Sequence, residues 1–385
     1  MNPVSPLPTL VSLAAALLTA WALSRFTLQN TNHNTHRYAS IDGLRGYLAF
    51  FVFLHHASIW YFYLRSGKWE APPSHLYTHL GQGSVILFFM ITGFLFYNKL
   101  PTNKDTEINW TALYISRIWR LTPLYLLAMT FVGLIVGIQS NWSPREPIAD
   151  LIRHAMTWVL FTFAGNPDIN QLHHTFTIVA GVTWSLPYEW FFYLSLPFLG
   201  WARGAKPKSA KVLLTSALLL TVCLTYWQPD GRYLKAFLGG ILTCYLARSD
   251  SWRSFACSQT GTLTAIAAIA ATVSLYSSAH KSIPLLLITL VFAIIASGNS
   301  LWGLLTHRAS RSLGELAYSV YLLHGILLYV LINWGLGPKA AEALQPLQYW
   351  LFILAITPLL IAMAYLSNQW IERPGMRQAT RLAAR

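Results

Sequence analysis

Long stretches without a charged side chain are the feature that most restricts how this chain can fold. They include residues 121–144, 169–188, 212–229, 254–280, 282–307, 316–338 and 343–371. Several exceed the roughly 20 residues that a helix needs to cross the hydrocarbon core of a membrane. Soluble domains carry about 25% charged residues, whereas only 10% of these 385 residues are charged. The sequence therefore predicts a polytopic helical membrane protein.

Apolar runs bounded by charges predict an all-α bundle of about ten core transmembrane helices. These runs are 44–64, 83–100, 113–138, 176–200, 211–227, 232–248, 261–279, 283–299, 314–336 and 348–370. The run at 9–26 predicts an extra N-terminal helix; a signal peptide is the alternative, but the basic residues that precede the apolar core of such a signal are missing. We therefore expect an N-terminal helix and cytoplasmic linker (1–39), one membrane domain (40–377) and a cytoplasmic tail (378–385).

The loops between these spans fall into two alternating sets that differ in basic residues. One set, which contains the stretch RGAKPKSAK at 203–211 and the C-terminus, holds 19 of the 27 Lys and Arg. The positive-inside rule places this set in the cytoplasm, and the loop 139–175 then lies outside. The net charge of +14 is explained by topology and by anionic membrane lipids, so we expect no nucleic-acid partner.

The chain has three cysteines, Cys223, Cys244 and Cys257. No pair of them has the spacing of metal ligands. We expect neither a disulfide nor a metal site.

Two ionisable residues are predicted near the middle of the membrane, where such groups are costly and mark function by default. Glu189, in GVTWSLPYEWFFYLSLP, is about midway along its span. His56 lies twelve residues into its own span, about 18 Å from the inner face at ~1.5 Å per residue. The two groups are therefore predicted at a similar depth.

Arg45 is expected on the same helix face as His56. Their separation of eleven positions corresponds to three turns plus roughly 20°, and to an axial distance of roughly 16 Å. We expect Arg45 at the cytoplasmic mouth of a polar cleft and His56 at its centre, with the adjacent His55 a weaker candidate. The alternative is that Arg45 is a snorkelling end residue and His56 a buried histidine bonded to a carbonyl.

A second basic pair, Arg117 and Arg120 in YISRIWRLTPLY, has the i, i+3 spacing that puts both on one helix face. Paired guanidinium groups at the cytoplasmic end of a span can grip phosphate with forked hydrogen bonds. An ordinary positive-inside anchor is the alternative.

These residues resemble, in order and rough spacing, the motifs of the integral membrane acyltransferase family three. The resemblance covers about residues 40–377. Besides Arg45, His56 and the arginine pair, the motifs are FFMITGFL at 88–95, WSLPYEWFFYL at 184–194, LAYSVYLLH at 316–324 and IERP at 371–374. The resemblance implies O-acetylation chemistry: transfer of an acyl group, usually acetyl, from acyl-CoA to a hydroxyl of surface polysaccharides, other glycans or macrolides.

The resemblance also implies roles for individual residues. His56 matches the histidine thought to carry the transfer chemistry, Arg45 matches its arginine, and Arg117 and Arg120 match the pair suspected to bind coenzyme A. Glu189 matches the acid after Trp-Ser-Leu. Thr92 stands where a serine is usual in the family. Pro187 and Tyr188 replace a small residue and valine, so the resemblance defines the identity of the acceptor less closely. Some relatives carry an extracytoplasmic esterase-like domain, which here would have to be a separate partner protein.

We therefore expect the protein to lie in a bacterial inner membrane and acyl-CoA to enter from the cytoplasmic side. The phosphates of acyl-CoA would bind Arg117 and Arg120, and its thioester would reach His56. An imidazole of pKa about 6.5 is suited to take a hydroxyl proton at neutral pH, or His56 could itself be acylated. Glu189 could orient the imidazole or be a structural acid. The rival hypothesis is a transporter or flippase with Arg45, His56 and Glu189 as a polar relay.

Other histidines are weaker candidates. His324 ends the YSVYLLH motif and is expected to pack or to form a hydrogen bond. His173 and His174, in the outer loop, could touch a glycan, but a solvated loop pair is the simpler interpretation.

Overall fold

The computed structural model of the protein describes residues 2–25, 38–101, 108–204 and 210–383. Within these ranges the regular structure is helical and no strand is formed. The α-helices are α1 (Leu7–Ser24), α2 (Ala39–Ser66), α3 (His75–Lys99), α4 (Trp110–Gln139), α5 (Ile148–Val159), α6 (Ser185–Ala202), α7 (Ala210–Tyr226), α8 (Gly231–Leu246), α9 (Asp250–Ala256), α10 (Gln259–Leu275), α11 (Ser282–Ala296), α12 (Arg308–Glu315), α13 (Ala317–Val330), α14 (Pro338–Ala343), α15 (Pro346–Ser367) and α16 (Arg373–Ala383). Short 3₁₀ turns form at Thr175–Val179 and Val182–Trp184, and π-turns follow α13 (Leu331–Leu336) and α15 (Asn368–Glu372).

The predicted fold class, a polytopic helical membrane protein, is confirmed. In the described part of the chain, six segments are long and apolar enough to cross a membrane, or seven if the bent pair α9 and α10 forms one span. The six are α1, α2, α3, α4, Ala317–Leu336 and Pro346–Leu382. Each of the other five predicted core spans contains a helix. Four of these helices, α7, α8, α10 and α11, have only 15–17 residues, because an apolar run bounded by charges includes loop residues and overestimates the length of its helix. The fifth, α6, has 18 residues but is less apolar than the six spans, since it contains Glu189 and two prolines.

The predicted span 176–200 begins differently from the expectation. His174, Ala180 and Gly181 adopt left-handed backbone conformations, with φ of 60°, 50° and 71°. A helix cannot continue through such residues, so the segment consists of two 3₁₀ turns and α6 starts only at Ser185. Hydropathy alone did not reveal this break, because the residues on both sides of it are apolar.

Parts of the predicted loops lie outside the described residues. They are 26–37 in the cytoplasmic linker, 102–107 before α4, 205–209 in the basic stretch RGAKPKSAK, and 384–385 in the tail. The domain boundaries of the sequence analysis stay a prediction.

The contacts of the chain divide it into two compact units. The first comprises Met1–Phe94 and Lys235–Leu366, and the second comprises Leu95–Leu234 and Ser367–Arg385. The boundaries therefore fall within α3 and α8 and at the end of α15. Each unit combines segments that are distant in sequence, so each unit is held together by its own long-range contacts.

In the first unit, glycines allow α2 to approach the segment that ends in α12. A Cβ atom added at Gly43 would collide with the Leu305 carbonyl, and one at Gly46 would meet the backbone of Leu313 and Gly314. Small residues permit this close approach of backbones. Arg45 lies between the two glycines, so its backbone position is fixed by the contact with α12.

The glycine of the FFMITGFL motif has a similar packing role. A Cβ at Gly93 on α3 would lie 2.5 Å from the carbonyl oxygen of Phe237 on α8, and one at Gly240 would collide with the Met90 carbonyl. Cys244, one turn after Gly240, donates its thiol to the Phe94 carbonyl at 3.3 Å. This motif therefore brings α3 and α8 together, and its glycine has a packing role.

In the second unit, α16 packs on α4 beside the arginine pair. Pro123 lies inside α4 and lacks the N–H that would bond the Trp119 carbonyl. Gly375, directly after IERP, lies against that carbonyl: an added Cβ would be 2.5 Å from its oxygen and 3.4 Å from Pro123 Cγ. The LTPLY segment and the end of the IERP motif thus meet at Trp119, between the two arginines.

Candidate functional site

A pair of histidines forms the polar centre of the first unit. His56 on α2 and His324 on α13 contact each other, with 3.0 Å between His56 Nδ1 and His324 Nε2. Their rings are nearly parallel, at 20°, with centroids 5.1 Å apart. His324 is fully buried and His56 half-buried. His324 was expected to pack or to form a hydrogen bond, and its partner is His56.

The hydrogen bonds of this pair fix where its protons lie. His324 Nδ1 is 2.9 Å from the Val320 carbonyl oxygen, which can only accept, so Nδ1 of His324 carries a proton. In a neutral imidazole the other nitrogen is then an acceptor, and His324 Nε2 accepts from His56 Nδ1–H. The Val52 carbonyl is a further acceptor for the His56 imidazole. Nε2 of His56 is therefore left with its lone pair, which is the form required of a base or a nucleophile.

His55, the neighbour of His56, has a structural role. Its Nδ1–H donates to the Tyr77 carbonyl on α3 at 2.7 Å, and the residue is buried. Gly81, one turn further along α3, provides the space for the ring, because a Cβ there would overlap the imidazole. This agrees with the expectation that His55 is the weaker candidate for chemistry.

Arg45 lies on α2 three turns before His56 and is half-buried. Gly43 and Gly46 hold the helix on either side of it against the backbone of residues 305–314. The backbone position of Arg45 is thus defined, while its assignment to the mouth of a cleft stays a prediction.

The second unit links two of the residues predicted from sequence, Arg117 and Glu189, through a third residue, Tyr193. The guanidinium of Arg117 is hydrogen-bonded to Tyr193 and lies over the Phe96 ring, 5.0 Å from its centroid. The Tyr193 hydroxyl donates to Glu189 Oε2 at 3.0 Å. The chain Arg117–Tyr193–Glu189 therefore connects α4 to the acid of α6. Tyr193 was missed in the sequence analysis, although its i+4 spacing from Glu189 was visible.

Positive charge is concentrated around Arg117. Lys99 and Arg120 lie close enough to it for their charges to repel each other. The Nε atom of Arg117 is shielded from solvent and has no hydrogen-bond partner in the described part of the chain. A buried donor without a partner is costly, and an anionic group would satisfy it and relieve the repulsion. This cluster has the composition of a phosphate site.

The pairing of Glu189 with His56 stays a prediction. The contacts found within the units give each residue another partner: Tyr193 bonds Glu189, and His324 bonds His56. The orientation of the His56 imidazole is therefore explained without Glu189.

The outer-loop histidines lie at the surface. His173 is 93% exposed at its side chain, 3.7 Å from Asp168, and His174 is exposed in a left-handed conformation. The loop is held instead by Glu146, whose Oε1 accepts from the Asn170 N–H at 2.7 Å and whose carboxylate contacts His154. A structural turn is the simpler account of His173 and His174.

Comparison with known proteins identifies the family of the chain. The family model of acyltransferase family 3, described as an acyltransferase domain, matches residues 38–368. The match includes His56, Arg117, Glu189 and His324. No curated protein and no solved structure matches the chain significantly. Because the matched segment covers most of the sequence, the chain belongs to acyltransferase family 3 and is a membrane acyltransferase.

Proposed function

We propose that this acyltransferase moves an acyl group, in the simplest case acetyl, from cytoplasmic acyl-CoA to a hydroxyl group of a glycan. The glycan is extracytoplasmic or lipid-linked, such as a surface polysaccharide, and the enzyme lies in a bacterial inner membrane. The observation that carries the proposal is the hydrogen-bonded pair of His56 and His324, which leaves Nε2 of His56 unprotonated. Transfer to a hydroxyl needs a group that can take its proton at neutral pH, and imidazole is well suited to do so.

The reaction proposed at His56 uses one nitrogen throughout. Nε2 takes the proton of the acceptor hydroxyl as the oxygen attacks the thioester carbonyl carbon. The carbon–sulfur bond then breaks, the ester remains on the acceptor, and Nε2–H returns the proton to the departing thiolate of coenzyme A. Nδ1–H stays bonded to His324 Nε2 and stabilises the imidazolium formed between the two steps. His56 is unchanged at the end of the cycle.

The donor is proposed to bind through its phosphates at Arg117 and Arg120, with Lys99 adding positive charge. Two features support this: the unpartnered, buried Nε of Arg117 and the concentration of cations around it. Arginine offers forked donors that match phosphate geometry. No metal is required by the proposed chemistry.

The experiment that tests the proposal follows radiolabelled acetyl from acetyl-CoA into envelope glycans. Membranes containing the wild type or His56→Ala are compared at equal expression, with His55→Ala as the matched neighbour. We expect label in glycan with the wild type and none with His56→Ala. Label retained on His56→Ala would contradict the assigned chemistry.

Two further measurements on the same membranes are informative, acetyl label on the protein and movement of glycan across the membrane. Acetyl label on the protein itself, lost with His56→Ala, would show that His56 Nε2 is acylated on the way and would replace the base mechanism. Glycan movement across the membrane without any dependence on acyl-CoA would favour the transporter alternative.

A further inference from the structure

The last turns of α2 carry aromatic side chains directly after His56. Trp60 and Tyr63 follow His56 at i+4 and i+7, so all three lie on one face of the helix. Trp60 is 2% exposed, and its ring packs at 5.4 Å from Tyr63 and at 6.0 Å from Tyr329 of α13. Tyr329 lies five residues after His324. The histidine pair is therefore continued by aromatic rings on both helices, two on α2 and one on α13.

The loop after α2 adds one more ring to this group. Gly67 ends the helix with φ of 69°, a conformation that glycine adopts at helix ends, and the chain turns back. Trp69 then packs at 5.4 Å from Trp60 and 5.3 Å from Tyr63. Its ring is nearly parallel to that of His56, at 19°, with centroids 6.3 Å apart. Trp60, Tyr63, Trp69 and Tyr329 together are called the aromatic collar.

The collar contains a polar donor that protein atoms do not satisfy. Nε1 of Trp60 is buried, and it has no hydrogen-bond partner in the part of the chain that the structure describes. Buried indole N–H groups normally find an acceptor, and one left unpaired costs free energy. An unpaired donor one helical turn from a transfer histidine is suited to bind a substrate oxygen.

The collar also reaches the surface. Trp69 is half-buried, while the flanking Lys68 and Glu70 are exposed. The group thus extends from His56 to the polar loop between α2 and α3. Lys68 and Glu70 therefore lie at the outer end of the collar, and the His56 imidazole lies at its inner end.

From these observations we infer that the aromatic collar is the subsite for the acceptor sugar, with a pyranose ring stacked on Trp69 and Trp60 Nε1–H donating to one of its oxygens. A pyranose has an apolar face of C–H groups, which can stack on the flat ring of Trp69, and a rim of hydroxyl groups, which can accept from Trp60 Nε1–H. This inference rests on the proposed function, because it names the site for the acceptor of that reaction.

The test measures acceptor and donor use separately. Purified protein in lipid nanodiscs receives acetyl-CoA and a glycan fraction from envelopes that lack this protein, titrated by hexose content. The variants are Trp69→Ala, Trp60→Phe and the conservative control Trp69→Phe. Label transfer gives half-saturation for glycan at fixed acetyl-CoA, and half-saturation for acetyl-CoA at fixed glycan.

We expect Trp69→Ala to raise half-saturation for glycan at least tenfold and Trp60→Phe at least threefold, while Trp69→Phe stays within threefold of the wild type. Half-saturation for acetyl-CoA should change less than threefold in all three. Unchanged glycan half-saturation in Trp69→Ala and Trp60→Phe, or an equal rise in the half-saturation for acetyl-CoA, would overturn the subsite alone. Absence of transfer by the wild type would refute the proposed function and the subsite together.

Discussion

Replacing His324 tests the proton arrangement of the histidine pair most directly. His324→Leu removes the acceptor 3.0 Å from His56 Nδ1 while filling much of the same buried space. Without it, the Val52 carbonyl is left to hold the proton on Nδ1, and the tautomer with the proton on Nε2 gains population. That tautomer cannot take a proton from the acceptor, so turnover should fall.

The size of the effect follows from the lost hydrogen bond. A typical intramolecular bond contributes about 0.5–1.5 kcal/mol, and leaving a buried donor unsatisfied costs about 1–3 kcal/mol. Since the Val52 carbonyl remains, we take a loss of about 1–1.5 kcal/mol, which at 1.4 kcal/mol per decade corresponds to roughly 5- to 12-fold in kcat. Half-saturation for acyl-CoA should change little, because His324 is assigned no contact with the donor.

The assay is release of coenzyme A thiol at saturating glycan, over a range of acyl-CoA concentrations and of pH. His324→Gln is the matched control, since its side-chain oxygen can accept from His56 Nδ1–H, and it should recover most of the loss. The acid limb of the pH profile should persist in His324→Gln because it belongs to His56. Wild-type kcat for His324→Leu, or a Gln variant no better than Leu, would refute the proton assignment.

Three other substitutions probe the surroundings of the two clusters. Gly81→Ala should displace the His55 imidazole and lower stability by about 1–3 kcal/mol, seen as a lower melting temperature with acyl-CoA half-saturation retained; an unchanged melting temperature would contradict the packing. Arg117→Lys keeps the charge but loses the forked donors, so half-saturation for acyl-CoA should rise while kcat is preserved, and an unchanged value would remove Arg117 from donor binding. Tyr193→Phe breaks the link to Glu189 and should cost about 0.5–1.5 kcal/mol of unfolding free energy, measured against Tyr226→Phe, a substitution at an exposed tyrosine of α7, as the control.

The sequence predicted the membrane helices and the main polar residues because lipid imposes strong rules on both. Charge-free runs located helices at every expected span, and the cost of burying an ionisable group selected His56 and Glu189. The same criterion could have selected His324, which lies in the middle of the charge-free segment 316–338. It was given a packing role because a single histidine does not reveal its partner.

Features that depend on contacts between distant segments were not predictable from one sequence. The Arg117–Tyr193–Glu189 chain joins α4 to α6, and the collar is completed by Trp69 from a loop. The 3₁₀ turns before α6 depend on left-handed residues such as Ala180, whose side chain gives no sign of that conformation. Periodicity and composition describe one helix at a time, so they cannot predict contacts between segments that are distant in sequence.

The docking of α16 on α4 has a consequence for biosynthesis. Gly375 lies against the Trp119 carbonyl that Pro123 leaves free, yet the two segments are separated by more than 200 residues of chain. At about 5–20 residues per second, the ribosome needs roughly 12 to 50 s between them. During that interval α4 is already made while the face that receives α16 is uncovered. The unit that carries the arginine pair is therefore the last to be completed, and a nascent chain that stops before α16 presents an unfinished surface to membrane quality control.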